Sequence, residues 1–298
     1  MKVLLAGGTG LIGEALAKRL AAEGHNVVIL TRKPREAAAQ GPRHVRWDGA
    51  SSGPWEAEID GAEAVVNLAG ESVGSRWARA KKNRITESRI RATGAIVRAI
   101  RSSTKKPGVL VNASAVGFYG HVPEGEVTEA MPPGDDFLGT TCAQWETEAQ
   151  KAGEFGTRVV LMRTGFVIAR EAEAFRRLLL PFKLFTGGPF GSGNQWFPWI
   201  HLEDVVSGYA YALEHPKLSG PANLTSPNPV RVKQLAKEIG KALHRPSFLP
   251  APAFALKLIL GEMSDLLLKG QKAVPLKLKE HGFVFKYETV DQAIRVSV

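Results

Sequence analysis

Short apolar runs alternate with longer helix-like segments through the first 165 residues of the chain. The strand-like runs cover residues 2–6, 26–30, 43–47, 63–69, 108–114 and 158–163. Apolar positions recur at helical spacing over residues 11–22, 85–101 and 140–153. This alternation predicts an α/β fold in which helices cover both faces of a doubly wound parallel sheet.

The first apolar run leads directly into a glycine-rich turn and a helix. Residues 3–6 are continuously aliphatic, and Gly7-Gly8-Thr9-Gly10-Leu11-Ile12-Gly13 follows them. Gly7 permits a tight turn, Gly10 lets the backbone approach a pyrophosphate, and Gly13 lets the helix pack closely on the strand. The amides that open the helix then face the phosphates, so we expect Thr9, Leu11 and Ile12 to bind with the glycines. The turn predicts a dinucleotide site in a Rossmann-type sheet.

The second strand indicates which dinucleotide binds. An NAD enzyme normally has an Asp or Glu about 20 residues beyond the glycines, where it holds the ribose 2′-hydroxyl. Here the strand ends Leu30-Thr31-Arg32-Lys33-Pro34, with no acid. Arg32 and Lys33 suit a 2′-phosphate through charge-assisted hydrogen bonds, although solvated loop charges are the plainer interpretation. The sequence therefore predicts NADP(H) as the cofactor.

The regular alternation loosens after Arg163, which predicts a smaller C-terminal lobe on the substrate side of the sheet. We expect an NADP(H)-binding Rossmann domain over residues 1–165 and the lobe over residues 166–298. Residues 199–215 are expected to return to the Rossmann core.

A segment rich in glycine, proline and aromatics, residues 181–198, predicts a structured loop over the cleft. Just beyond it, Asp204 precedes an apolar run and is expected to cap a helix. Four aromatic side chains in this region could either wall a substrate pocket or pack the interface between the lobes: Phe190, Trp196, Phe197 and Trp199.

Length and composition are typical of a globular protein. The 298 residues are 44% hydrophobic and 23% charged, enough for one large core with an added lobe or for two domains. The chain begins with a core strand, which argues against a signal peptide. The apolar segment 251–268 contains Lys257, Glu262 and Asp265, which argues against a membrane span. The single cysteine, Cys142, excludes an intrachain disulfide or a cysteine metal cluster. We therefore expect a cytoplasmic monomer or homodimer without a metal.

The net charge of +10 is concentrated in one stretch, residues 76–106, which contains eleven basic residues and one acid, Glu87. The basic residues are Arg76, Arg79, Lys81, Lys82, Arg84, Arg89, Arg91, Arg98, Arg101, Lys105 and Lys106. Apolar residues at helical spacing within the stretch predict an amphipathic crossover helix. Nucleic-acid binding is the rival interpretation. Because Trp77 is the only aromatic residue available for base stacking, we favour a solvated helix face and a small-molecule substrate.

Together these motifs make the chain resemble the atypical extended short-chain dehydrogenase/reductases of the sugar-nucleotide epimerase family, within the NAD-dependent epimerase/dehydratase superfamily. The resemblance covers nearly the whole length, and its end is similar to that family's C-terminal domain of unknown function. It rests on the glycine turn and on Thr31-Arg32-Lys33-Pro34, Asn67-Leu68-Ala69-Gly70-Glu71, Ser88-Arg89, residues 113–120, Trp145-Glu146, Arg163-Thr164-Gly165, residues 187–193, Trp199-Ile200-His201, and the tail from Gly261 through Gly270-Gln271-Lys272 to His281-Gly282-Phe283. The resemblance implies that the NADP(H) site uses Thr31, Arg32, Leu68, Ala69, Arg89 and Val167.

One departure from ordinary short-chain reductases concerns catalysis. Those enzymes pair a Tyr with a Lys four residues later on a helix, so that the Lys lowers the Tyr pKa and the Tyr transfers the substrate proton. None of the four tyrosines here is followed by such a Lys. Depending on register, the two positions hold Leu138 and Cys142 or Cys142 and Glu146. The usual proton relay is missing.

Candidates to replace the relay are few. Ser114, at the end of a predicted strand, is placed to orient a carbonyl or hydroxyl, unless it only caps local backbone. Tyr119 could reach the cleft or pack within its turn. We expect Cys142 to be a small apolar side chain and Glu146 to be solvated or ion-paired. His201 is expected to lie at the end of a strand without a catalytic role. Two functions therefore stay open: an NADP(H)-dependent epimerase or oxidoreductase acting on a carbonyl or nucleotide-sugar substrate, and a non-catalytic NADP(H)-binding regulator.

Overall fold

The computed structural model describes residues 1–35 and 41–298. The strands are β1 (Lys2–Ala6), β2 (Asn26–Thr31), β3 (Arg43–Arg46), β4 (Ala64–Asn67), β5 (Val109–Ala115), β6 (Glu126–Val127), β7 (Arg158–Thr164), β8 (Phe166–Ile168), β9 (Trp196–Phe197), β10 (Trp199–His201), β11 (Gly220–Leu224), β12 (Val230–Arg231) and β13 (Lys272–Ala273). The helices are α1 (Leu11–Ala22), α2 (Arg79–Ser102), α3 (Phe137–Gln150), α4 (Glu173–Lys183), α5 (Leu202–Glu214), α6 (Val232–Leu243), α7 (Ala253–Leu260), α8 (Asp265–Leu268), α9 (Leu276–Glu280) and α10 (Val290–Ser297).

Seven of these strands form one parallel sheet in the order β11-β7-β5-β4-β1-β2-β3. The chain winds outward from β1 in one direction through β2 and β3, and in the other through β4, β5 and β7. The reversal point lies between β1 and β4, and ligands in such sheets bind in the crevice beyond the strand ends at that point. The α/β prediction of a Rossmann-type doubly wound parallel sheet with a smaller C-terminal lobe is confirmed.

The two faces of β1 pack against separate hydrophobic clusters because successive strand side chains point in opposite directions. Val3 and Leu5 belong to the cluster that includes α1 and α5, whereas Leu4 and Ala6 belong to the one that includes α2. All four are completely buried. This double burial explains why the strand reads as a continuous aliphatic run.

Helix α1 spans the predicted residues, whereas α2 begins at Arg79, six residues before the predicted start. Its early turns carry charged side chains held by ion pairs, including Lys81 to Glu71 at 2.7 Å and Lys82 to Glu262 at 2.7 Å. The buried apolar face begins at Ile85. Apolar periodicity therefore marks only the packed part of this helix.

The segment after residue 199 returns to the main core, where α5 packs beside α1 and buries Val205 and Tyr209. The helix begins at Leu202 with His201 as its N-cap, so the predicted capping role of Asp204 is wrong. Asp204 is buried in the first turn, and its carboxylate accepts the backbone N–H groups of Lys286 and Tyr287 at 2.7 and 3.0 Å. Burial raises the pKa of Asp204 in spite of these bonds.

The sheet extends beyond the predicted domain boundary at residue 165. Strand β11, which the apolar pattern did not reveal, pairs in parallel with β7 through Leu224. Beyond it, a third hydrophobic cluster joins α4, α6 and α10 around Phe175, Leu235 and Ile294 and forms the interior of the smaller lobe. The division at 165 therefore stays a prediction, with one sheet strand contributed from the later part of the chain.

Candidate functional site

The glycine turn has the backbone geometry that its three predicted roles require. Gly7 has a φ of +75°, and a Cβ there would lie 2.7 Å from the Leu68 carbonyl carbon. A Cβ on Gly13 would lie 2.5 Å from the Gly7 carbonyl oxygen, so only glycine lets α1 approach the turn so closely. A Cβ on Gly10 would meet only that same oxygen, at 3.6 Å. The Gly10 side of the turn is open, as a pyrophosphate site requires.

The other predicted cofactor residues lie around this opening. Thr9 is exposed in the turn, while Leu11 and Ile12 form the first turn of α1. Strands β2 and β4 are the two neighbours of β1 in the sheet. Thr31 is the last residue of β2, and Leu68 and Ala69 follow β4. Val167 in β8 packs against the same hydrophobic cluster as Ile12 and Leu68. The backbone thus brings the segments together at the point where the strand order reverses.

The predicted selectivity residues follow β2 on the protein surface. Arg32 and Lys33 are exposed, and no salt bridge engages either within residues 1–35 and 41–298. The Lys33 amide donates to the Thr31 hydroxyl, which fixes the start of this loop. The pKa of Glu71 is lowered mainly by its hydrogen bond from Lys81, with Arg32 among the contributing charges.

A cleft of about 930 Å³ opens between the sheet and the smaller lobe. On the sheet side it is bordered by Ala115 and Thr164, the last residues of β5 and β7, and by Cys142 of α3. On the lobe side α4, α7 and the glycine-rich loop after α4 close it. Three of the four singled-out aromatics line the cleft, Phe190, Trp196 and Phe197, whereas Trp199 is completely buried in the lobe core.

Arg89 links the cofactor edge to the cleft. It projects from α2 and lines the cleft, with its guanidinium 5.0 Å from the Trp145 ring centroid. One terminal nitrogen donates to the carbonyl oxygens of Glu71 and Ile85, at 3.0 and 2.9 Å. Burial lowers the pKa of this guanidinium, which nevertheless stays charged because an arginine pKa begins so high. The charge is held by neutral carbonyl groups.

Ser114 and Tyr119 belong to one buried polar network. The Ser114 hydroxyl donates to Glu146 at 2.6 Å, and Arg163 holds the same carboxylate with two bonds of 2.8 Å. Arg163 also donates to the Tyr119 hydroxyl at 2.9 Å, and that hydroxyl donates to Asn223 at 2.6 Å. The network connects β5, α3, β7 and β11. It therefore links β11, the strand that the apolar pattern did not predict, to the rest of the sheet.

The network leaves Tyr119 little chemistry to offer. Its side chain is buried, its hydroxyl is engaged on both sides, and burial raises the pKa of Tyr119 to about 12. Burial lowers the pKa of Arg163, but the hydrogen bonds and charge of Glu146 outweigh this and leave it raised. Tyr119 does not line the cleft, although its neighbour Gly120 does. Its catalytic role stays a prediction, and the geometry favours a packing role.

The α3 residues at the positions of the reductase Tyr-Lys pair differ in their surroundings. Leu138 and Cys142 line the cleft, whereas Glu146 is buried against Arg163. Burial, followed by the charge of Glu146, raises the pKa of the Cys142 thiol to about 12. The thiol therefore stays protonated near neutral pH and behaves as a small apolar side chain.

His201 has a local structural role. Its Nδ1 accepts the Glu203 backbone N–H at the start of α5, and its ring lies 4.0 Å from the Tyr287 ring, centroid to centroid. Burial lowers its pKa. Sequence reasoning used Arg163 only as part of a family motif and assigned it no role at the site. The available signal was its position directly after the apolar run Val159-Val160-Leu161-Met162, within β7. A buried cation there requires a carboxylate partner.

The fold and the turn define a Rossmann-type dinucleotide-binding protein whose cleft lies against a C-terminal lobe. The sequence pattern of the NAD dependent epimerase/dehydratase family matches residues 3–224, and that of a domain of unknown function, DUF1731, matches residues 251–296. The chain belongs to the NAD-dependent epimerase/dehydratase family, as its motifs predicted.

Relatives match over almost the whole chain. "Epimerase family protein SDR39U1 homolog, chloroplastic" from Arabidopsis thaliana is 42% identical over 99% of this chain and 86% of its own. "Epimerase family protein YfhF" from Bacillus subtilis is 41% identical, over 99% of this chain and 97% of its own.

Solved structures agree with this assignment. Human epimerase family protein SDR39U1, crystallised with NADPH, superposes with a TM-score of 0.88 at 33% identity, covering 99% of this chain and 98% of its own. MoeE5, in complex with UDP-glucose and NAD, superposes with a TM-score of 0.81 at 20% identity over 100% of this chain and 97% of its own, a likeness of fold alone. In the described part of this chain, no helix combines the length and apolarity that crossing a membrane requires.

Proposed function

We propose that the protein binds NADP(H) at the glycine turn and uses it for hydride transfer at a carbonyl or alcohol carbon in the cleft. The observation that carries the proposal is the turn itself, whose open Gly10 side and close Gly7 and Gly13 contacts fit a pyrophosphate against the start of α1. The NADPH bound by human SDR39U1 supports the choice of cofactor.

Arg32 is the residue we assign to cofactor selectivity. It follows β2 where an NAD enzyme has an acid, and its side chain is exposed. A 2′-phosphate would receive charge-assisted hydrogen bonds from its guanidinium. Arg89 would then lie nearer the nicotinamide end, since it lines the cleft.

When bound, the cofactor supplies a hydride: the carbonyl carbon gains a C–H bond, its oxygen takes a proton from water, and NADPH becomes NADP⁺. A single transfer is an oxidoreduction, and oxidation followed by reduction on the opposite face is an epimerisation. The chain's own part is to bind and orient the substrate beside this carbon. Both outcomes fit the family, and turnover experiments distinguish them.

Ser114 can act toward a substrate in only one direction. A serine has one O–H donor, and here it is given to Glu146. The lone pairs of Ser114 are left to accept a hydrogen bond, so it can orient a substrate hydroxyl better than a carbonyl oxygen. Ser114 is buried and does not itself line the cleft, but it lies one residue before Ala115, which does, and we assign it this positioning role.

The test compares cofactor titrations of the wild-type chain and Arg32→Ala. We expect the wild type to prefer NADPH over NADH, and Arg32→Ala to lose at least tenfold in NADPH affinity with NADH affinity unchanged. Arg295→Ala is the matched control, because it removes an exposed arginine paired with Asp291 on the C-terminal helix. Equal NADPH affinity in both variants would remove Arg32 from the site.

The second candidate is an NADP(H)-binding regulator without catalysis. It is favoured by the placement of Cys142 and Glu146 where a reductase has its Tyr-Lys pair, because neither buried group can serve as the usual proton donor. Incubation with NADPH and a panel of carbonyl compounds and sugar nucleotides distinguishes the two. Tight NADPH binding without turnover across the panel would favour the regulator.

A further inference from the structure

The cleft is electrically balanced. Among the described residues that line it are four cations and four acids: Lys82, Arg89, Arg177 and Lys269, and Asp136, Glu173, Glu262 and Asp265. This balance stands out in a chain with a net charge of +10. A cleft that binds a diphosphate substrate is expected to present a surplus of positive charge.

Three of the four cations are also neutralised individually. Lys82 pairs with Glu262 at 2.7 Å, and Lys269 pairs with Asp265 at 2.8 Å. Arg177 pairs with Glu173 at 2.5 Å. The pKa of Lys269 is raised by its hydrogen bond with Asp265, as expected for an ammonium group with a close carboxylate. A phosphate that bound to any of these three cations would have to displace its carboxylate partner.

Arg89 is the remaining cation, and it binds carbonyl oxygens instead of a carboxylate. In the proposed function this arginine serves the cofactor. Among the described residues that line the cleft, every other cation is paired with a carboxylate.

The walls of the cleft are apolar and rich in aromatic rings. Eight aromatic side chains line it: Trp77, Phe137, Trp145, Phe166, Phe182, Phe190, Trp196 and Phe197. Aliphatic residues of α4, α7 and α8, such as Leu178, Leu256 and Leu267, complete the lobe side. Transfer of apolar surface into such a site is favourable, whereas an unpaired charge there is costly.

The apolar character continues from the cleft to the outside of α7. Leu256 and Leu260 of this helix line the cleft. On its outer side Phe254, Leu258 and Ile259 are exposed by 75%, 76% and 68%. Both the inner and the outer side of α7 are therefore apolar.

We infer that the substrate is an uncharged, largely apolar carbonyl compound or the corresponding alcohol, and not a nucleoside diphosphate sugar. This inference rests on the proposed function, because it concerns the ligand that shares the cleft with NADP(H). A volume of about 930 Å³ is large enough for a ligand of drug-like size. The carbon skeleton of the substrate lies against the aromatic rings.

The test uses the full chain saturated with NADPH and the uncharged dye Nile red, whose fluorescence rises in apolar sites. We expect saturable dye binding, displacement by benzophenone, and no displacement by UDP-glucose at the same concentrations. Leu256→Glu places a carboxylate in the cleft and should weaken dye binding at least tenfold. Leu276→Glu is the matched control, since it adds the same charge at an exposed leucine of α9 that does not line the cleft, and it should leave dye binding unchanged.

NADPH consumption is followed in parallel with uncharged ketones and with UDP-sugars. Displacement of the dye by UDP-glucose, or turnover of UDP-sugars alone, would overturn the inference while leaving the proposed function intact. Equal weakening by both leucine variants would also overturn it. Failure of NADPH to bind would instead refute the proposed function, and the dye experiment without cofactor would still decide the ligand class of the cleft.

Discussion

The buried network around Arg163 predicts a large loss of stability when its carboxylate is removed. The side chains of Arg163 and Glu146 are 4% and 5% exposed, and two bonds of 2.8 Å join them. In Glu146→Ala the guanidinium stays buried without its counter-charge, and Ser114 loses its acceptor. Removal of one partner from such a pair costs about 3–5 kcal/mol.

For a chain of this size the expected decrease in Tm is roughly 6–10 °C, at about 2 °C per kcal/mol. Thermal unfolding followed by circular dichroism measures it. Glu148→Ala is the matched control, because this residue lies one half-turn away on α3 and pairs with the more exposed Lys151. Such surface pairs contribute about 0–1 kcal/mol.

A second variant separates charge from packing. Glu146→Leu combined with Arg163→Met replaces the ion pair by apolar groups of similar length, and such replacements are often neutral or stabilising. We expect the double variant to recover most of the stability that Glu146→Ala loses. Equal small losses in Glu146→Ala and Glu148→Ala would refute the view that this network holds the sheet to β11.

Three further results are expected. Gly13→Ala should lose about 1–3 kcal/mol of stability and at least tenfold in NADPH affinity, because its Cβ would lie 2.5 Å from the Gly7 carbonyl oxygen. The control Gly153→Ala should change neither quantity, because no atom lies within 4 Å of its new Cβ. Retained NADPH affinity in Gly13→Ala would contradict the geometry. Burial lowers the pKa of His201 below its unfolded value of about 6.5, so its contribution to stability is complete above that value and is lost as the pH falls toward the lowered folded pKa. His201→Asn, which keeps a capping acceptor, should therefore lose less Tm than the wild type between pH 7.5 and pH 5.5, and an identical loss would exclude His201. Cys142 should not react with Ellman's reagent at pH 8 in the folded chain, because burial raises its pKa to about 12, and one thiol should appear in guanidinium chloride; rapid reaction of the folded chain would contradict this.

Features that depend on local sequence were predicted well. The bounds of α1 follow from a glycine at its start and Gly24 just after its end, and the structure has them at the predicted residues. The central strands are recognisable because burial on both faces requires continuous aliphatic runs. The family assignment rests on such segments, and the match over residues 3–224 confirms it.

Features that depend on distant partners could not be predicted from local patterns. Asp204 was predicted to cap a helix from its neighbours in sequence alone. Its actual partners, the backbone N–H groups of Lys286 and Tyr287, lie more than 80 residues away and could not be seen in that local pattern. Strand β11 contains Gly220, Pro221 and Asn223, which weaken its strand pattern, and it is held by pairing with β7. The environments of Ser114 and Tyr119 could not be predicted for the same reason, because they depend on side chains from four elements.

The charge balance of the cleft also emerges only from the folded chain. The sequence concentrates its surplus of basic residues in residues 76–106 and gives no sign of which acids will meet them. Lys82 finds Glu262 across 180 residues, and Lys81 finds Glu71. Eight of the eleven basic residues are exposed, as a solvated helix face requires, whereas Lys82 and Arg89 line the cleft.

A crystal structure of the protein with NADPH tests the central claim most directly. The account predicts the pyrophosphate at the start of α1 beside Gly10, the 2′-phosphate at Arg32, and the nicotinamide ring in the apolar cleft. A pyrophosphate bound elsewhere, a 2′-phosphate turned away from Arg32, or a nicotinamide ring outside the cleft would contradict it.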